Sequence, residues 1–257
     1  MRLIRYAATL MLPVALWGSS EVFDRGMKAL AAKDYAAALG FLETALKAEP
    51  DNLQYGSEYR QAIVMQAKQL HPKEGQIPDY ERSLKFFETL VAAQPSSANA
   101  WLNYGFAYVD KIPAAGAISQ VILANTALSH FTKSIETKPS WLAYYTRGNS
   151  YLFWPKIFGR APLGVADLEQ ALKIQKMGAK KTYHLRVYVS LGDAYWKTDQ
   201  LEKARAIWKD GLTQFPGATA LKDRLAKEGD ALKQYLDDVL DPSRRVDTDL
   251  REIWMNP

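Results

Sequence analysis

The chain has 257 residues, 33 Lys and Arg against 28 Asp and Glu, a formal net charge of +5 and no cysteine. Without Cys there is no disulfide framework, no thiol nucleophile and no thiolate metal site. The small, dispersed excess of positive charge is not the concentrated stripe that nucleic acid requires.

Residues 1 to 20 differ in character from the rest. Arg2 and Arg5 form a basic start, residues 6 to 17 are uncharged and mostly apolar, and Gly18, Ser19 and Ser20 follow. This is the layout of a secretory signal, with cleavage expected after Ser20. The apolar run is shorter than the ~20 residues of a membrane span, and Pro13 interrupts it. No Cys follows it to carry a lipid, so the expected mature chain is soluble, periplasmic or secreted, without a stable membrane span. Removing the segment takes away two Arg and no acid, leaving 31 basic against 28 acidic residues, a net of +3.

From residue 21 to 217 the same marks recur as successive helix pairs. Unit one carries Gly26, Ala38, Leu42, Ala45 and Pro50, and a degenerate unit two keeps Ser83, Phe87, Leu90 and Pro95. Unit three has Trp101, Tyr104, Gly105 and Tyr108, then Ala127, Phe131, Ser134 and Pro139. Unit four has Tyr144, Gly148 and Tyr151, then Gly164, Leu168 and Ala171. Unit five is the most complete: Tyr188, Leu191, Gly192 and Tyr195, then Ala204, Trp208, Gly211 and Pro216. Gly and Ala let two helices approach, aromatics fill the space between them, and Pro ends the second helix because it donates no backbone hydrogen bond.

These marks resemble the tetratricopeptide repeat pattern, W-x2-L-G-x2-Y…A-x3-F…P, over residues 21 to 217. The resemblance implies an all-α, right-handed solenoid of about five helix pairs that binds protein segments and has no catalytic pocket. The period departs from the usual 34 residues: Pro50, Pro95 and Pro139 are about 44 apart, as are Gly105, Gly148 and Gly192. The extra residues fall between the two helices of units two, three and four, at 71 to 79, 111 to 117 and 153 to 162. Each insertion contains Pro, the mark of a turn.

Beyond Pro216, residues 218 to 257 read as a cap and tail. A single capping helix is expected over residues 218 to 237, with Leu221, Leu225, Leu232, Tyr235 and Leu236 on its apolar side. The tail from Asp241 contains Pro242, Arg244 and Arg245, then a short helical stretch with Leu250, Ile253 and Trp254. It is expected to dock back on the solenoid; the alternative is a tail that binds a partner.

Convergent catalytic chemistry is not visible. The three His (His71, His130 and His184) have no zinc spacing, and neither a G-x-S-x-G elbow nor a phosphate-cradling Gly loop occurs. No enzyme, metal or cofactor is expected. The basic group Lys173, Lys176, Lys180, Lys181 and Arg186 reads as a solvated face.

Two surfaces remain for binding. On the first helices, Asn103, Phe106 and Asp110 in unit three, Tyr145, Asn149 and Phe153 in unit four, and Asp193, Trp196 and Lys197 in unit five recur at one phase. They are expected to line one continuous concave groove that takes an extended or helical peptide. The family's clamp for C-terminal carboxylates uses Lys, Asn and Arg on these helices. The corresponding places here hold Leu102, Phe106, Thr146, Arg186 and Ser190, so that clamp is not expected.

The second surface is the edge made by the insertions, where Ile118, Val121, Ile122 and Leu123 are apolar and the run Trp154-Pro155-Lys156-Ile157-Phe158 adds apolar bulk. They are expected to cover one another as a small core, or else to leave a patch for a partner, a lipid or a hydrophobic ligand. The run Trp154 to Gly159 resembles a loop of some periplasmic tetratricopeptide proteins, including accessory subunits of solute transporters. The leading functional expectation is a non-catalytic scaffold of the bacterial cell envelope that holds protein segments. The alternative is a periplasmic small-ligand or lipid-binding accessory subunit using the inserted edge.

Overall fold

The computed structural model describes residues 18–70, 79–241 and 248–255. Among these residues there are thirteen α-helices and no strand. Ten helices form the five expected pairs: α1 (Ser19–Ala31) with α2 (Tyr35–Ala48), α3 (Leu53–Leu70) with α4 (Asp79–Ala93), α5 (Ala98–Lys111) with α6 (Ala117–Thr137), α7 (Trp141–Leu152) with α8 (Ala161–Lys176), and α9 (Leu185–Lys197) with α10 (Leu201–Gln214). No described helix is long and apolar enough to cross a membrane. The proposed signal at residues 1 to 20 lies almost wholly outside the described residues, although Ser19 and Ser20 already belong to α1.

The pairs close as the repeat marks require. A Cβ on Gly192 would stand 2.0 Å from Nε1 of Trp208, and one on Gly105 would stand 2.4 Å from the Phe131 ring. Both partners are fully buried second-helix aromatics, so close approach, not backbone freedom, selects glycine at these positions. The turns of units one and five, which have no insertion, each place one non-glycine residue in the left-handed region, Lys33 at φ 62° and Asp199 at φ 60°.

The insertions lie between paired helices as expected. The one at 111 to 117 holds a 3-10 turn over Ile112–Ala114, and the one at 153 to 162 holds another over Lys156–Phe158. Most of the first, at 71 to 79, falls outside the described residues. The insertion at 153 to 162 is tied to α6, where Arg160 Nη2 donates to Asn125 Oδ1 at 2.8 Å, and Arg160 lies 3.8 Å over the Trp154 ring.

The two described insertions bury Trp154 and Leu123 but leave Ile118, Val121, Ile122, Ile157 and Phe158 exposed. The expected small core is therefore only partial. Ile118 and Ile122 sit one turn apart on the overhanging start of the 21-residue α6, where few neighbours reach them.

The cap is two helices, not one. α11 (Thr219–Leu225) ends at Ala226, and α12 (Gly229–Val239) restarts at Gly229, whose φ is 49°. The break lets Leu221, Leu232, Leu236 and Leu240 all bury in one cluster with Leu191 and Trp208. A second cluster joins units one and two to α5, and a third joins α5, α6 and α7. Leu250, Ile253 and Trp254 of the tail complete that third cluster.

Candidate functional site

The first helices are the elements that present a row of side chains along the solenoid. α3 lies against α5, and α7 against α9. Across this row runs the tail, residues 248–255, ending in the short helix α13 (Glu252–Met255). The tail returns to the solenoid as expected, and it occupies the face on which the groove was expected.

The floor of the contact is a buried polar network. Arg60 on α3 donates Nη1 to Asp110 Oδ2 at 2.7 Å, Nε to Asn103 Oδ1 at 3.0 Å and Nη2 to the Thr248 carbonyl at 3.1 Å. Its guanidinium also lies 4.8 Å from the Phe106 ring centroid. The Thr248 hydroxyl donates to Asp110 Oδ1 at 2.6 Å, so both carboxylate oxygens and all three guanidinium nitrogens are used. A buried charge needs this degree of pairing.

Arg251 then forks onto Glu58 at 2.6–3.2 Å, a bidentate pair of the kind that fixes geometry as well as charge. The Glu58 carboxylate holds the Arg251 guanidinium above its ordinary pKa. Further along, Arg186 on α9 reaches Glu252 at 2.5 Å. The tail therefore touches first helices of units two, three and five.

The nine residues expected to share one groove fall into different environments. Asn103, Phe106 and Asp110 are buried rather than open to solvent, Asn103 against α3, and Phe106 and Asp110 against the tail. Asn103 is held further by donating to the Asn99 carbonyl at 3.0 Å. Tyr145 and Asn149 are half-buried beside α9, where Ser190 Oγ donates to Asn149 Oδ1 at 2.9 Å and Tyr145 stacks on Trp141 at 5.2 Å. Burial pushes the Tyr145 hydroxyl pKa up, against the pull of Arg186. Phe153 is half-buried at the C-terminal cap of α7.

Asp193 is a correction. It points into the cap, where Arg224 of α11 donates Nε and Nη2 to its two oxygens at 2.6 and 2.7 Å. Its phase matches that of the open positions, but at the last repeat the next neighbour is the cap, which covers it.

Trp196 and Lys197 line a separate open cleft of about 570 Å³, with Trp154, Pro155, Leu240 and the ion pairs Lys156–Asp199 and Lys233–Asp237. Lys197 Nζ donates to the Leu152 carbonyl at the end of α7, and burial lowers its pKa. The single continuous groove is thus interrupted. A ligand subunit built on the inserted edge needs an enclosed apolar space, whereas Ile157 and Ile118 there are 91% and 81% exposed.

Glu58, Arg60, Thr248 and Arg251 were not singled out by sequence. The one signal that pointed to them is Asp110 itself, an acid inside an otherwise apolar helix face that demands a cation.

Paired helices closed by glycine–aromatic contacts, stacked in five units and capped, define a helical-repeat solenoid of the tetratricopeptide fold. Solved structures agree. The protein TTC0263, a thermophilic TPR protein in Thermus thermophilus, is 22% identical, with a TM-score of 0.52 over 81% of this chain and 97% of its own. Two structures of MamA are 17% and 18% identical, each with a TM-score of 0.50, over 82% and 74% of this chain and 96% and 94% of theirs. No protein-family model and no curated protein matches the chain.

Proposed function

We propose that this chain is a non-catalytic protein-binding scaffold of the bacterial cell envelope, periplasmic or secreted, that holds partner segments on its first helices. The observation that carries the reading is the seated tail. Residues 248–254 are a short peptide held by a hydroxyl contact, a carbonyl contact, a bidentate ion pair and three apolar side chains. A surface that holds its own peptide in this way has the polar register and apolar area that peptide recognition needs. Tyr145 and Asn149 continue the row on α7, while Trp196 lies on the separate cleft. The envelope location rests on the basic start, apolar run and small residues of positions 1 to 20.

The test is site-specific photocrosslinking in cells. A crosslinking residue at Asn149 or Gln61 is expected to capture discrete protein partners, and one at exposed Lys173 on α8 is not. Capture from Lys173 alone would overturn the groove reading. Fractionation tests the location: unprocessed protein in the cytoplasm would overturn the envelope.

A further inference from the structure

Arg60 Nη2 and Asp110 Oδ1 have the tail as their partner, through the carbonyl and the hydroxyl of Thr248. Both groups are buried, and Asn103 and the remaining Arg60–Asp110 contact hold them in position. With the tail out, they form a preset donor and acceptor at the floor of the site, spaced for a residue that offers a backbone carbonyl and a side-chain hydroxyl. Three residues on, Glu58 accepts a guanidinium fork. Leu250 and Trp254 pack into the apolar cluster shared by α5, α6 and α7. Arg186 pairs with the acid at 252.

Resting on the scaffold reading above, we infer that the tail is a resident competitor for the site, and that the partner segment carries the tail's own pattern. That pattern is a hydroxyl residue, an apolar residue two places on, then Arg and an acid in succession, and an aromatic two places after the acid. In this chain those are Thr248, Leu250, Arg251, Glu252 and Trp254. The tail and a partner segment bind in exclusion of each other, so partner affinity is set by how readily the tail leaves. The pattern is selective because the buried Glu58 rejects an acid where Arg251 sits, and the buried Asp110 rejects a residue without a donor where Thr248 sits.

The test uses the full chain and a fluorescent synthetic peptide of residues 248 to 257, with binding read by anisotropy. The doubly substituted chain Leu250→Asp, Arg251→Glu, confirmed as folded by circular dichroism, is expected to bind the peptide at least tenfold more tightly than the unaltered chain. A peptide with Glu in place of Arg at position 251 is expected to lose that binding to the doubly substituted chain. Arg251→Glu alone, at the half-exposed end of the contact, replaces the double variant if that one does not fold. Equal peptide affinity for the altered and unaltered chains, or binding indifferent to the charge at 251, would overturn the proposal. Peptide failure with Asn149 crosslinks intact rejects the competitor and keeps the scaffold; peptide binding without crosslinks rejects the scaffold instead.

Discussion

Arg60 and Asp110 meet at 2.7 Å, 50 residues apart on neighbouring first helices and shielded from solvent. A buried pair of this kind is weak evidence for net stability, but breaking it is costly because one charge is left alone. Arg60→Met is expected to cost about 3–5 kcal/mol. Adding Asp110→Leu is expected to return most of that loss, since neither charge then remains. Urea unfolding of the two single variants and the double variant reads the coupling. Strictly additive losses would mean that the two side chains act independently.

Asp193 ties α9 to α11 through both of its oxygens. Asp193→Ala is expected to destabilise the last repeat and cap by about 3–5 kcal/mol, through the uncompensated Arg224. The readout is the melting temperature. An unchanged melting temperature would return Asp193 to the solvent-facing row.

His130 lies within 4.0–5.6 Å, ring to ring, of Trp101, Tyr104 and Tyr108. Burial pushes its pKa down to about 4 from 6.5. The folded chain therefore binds fewer protons than the unfolded chain between those values, and this contribution to stability is lost as pH falls from 6.5 towards 4. His130 is only half-buried, so solvent screening holds the loss to about 1–2 kcal/mol. Comparing the unaltered chain with His130→Phe by urea unfolding at pH 7 and pH 4.5 isolates it from the carboxylates, which titrate in both. An identical acid sensitivity would contradict the assignment.

Gly192 leaves no room for a methyl against Trp208, whereas a Cβ on Gly217 meets nothing within 4 Å. Gly192→Ala is expected to cost about 1–3 kcal/mol by overpacking, and Gly217→Ala to stay within about 0.5 kcal/mol. Thermal unfolding of both variants checks the pair. Equal effects would mean that repeat closure does not select the glycine.

The repeat was legible because its marks are local. Gly192 and Trp208 lie within one hairpin, and Pro, Gly and aromatic spacings locate the hairpins and their insertions without tertiary knowledge. The groove was legible only as a helix phase. Asn103 and Asp193 share that phase with Asn149, yet each is covered by a different neighbour, the α3–tail contact in one case and the cap in the other. No periodic signal says what covers a helix face.

Thr248 meets Gln61 across 187 residues, and unit two, which supplies Glu58, Arg60 and Gln61, is the unit whose signature is weakest. The cap was read as one helix because its leucines keep a helical period through the break before Gly229.

The seating of the tail on the first helices is tested most directly by thiol crosslinking, since the chain contains no cysteine of its own. Gln61→Cys with Asp249→Cys places one thiol on α3 and the other next to Thr248, whose hydroxyl accepts from Gln61 at 3.4 Å. A short bismaleimide is expected to close an intramolecular link in the folded chain, to leave the pair open in urea, and to leave a Lys173→Cys, Asp249→Cys control open throughout. Linkage of Gln61 to Asp249 no greater than that of the control would contradict the account.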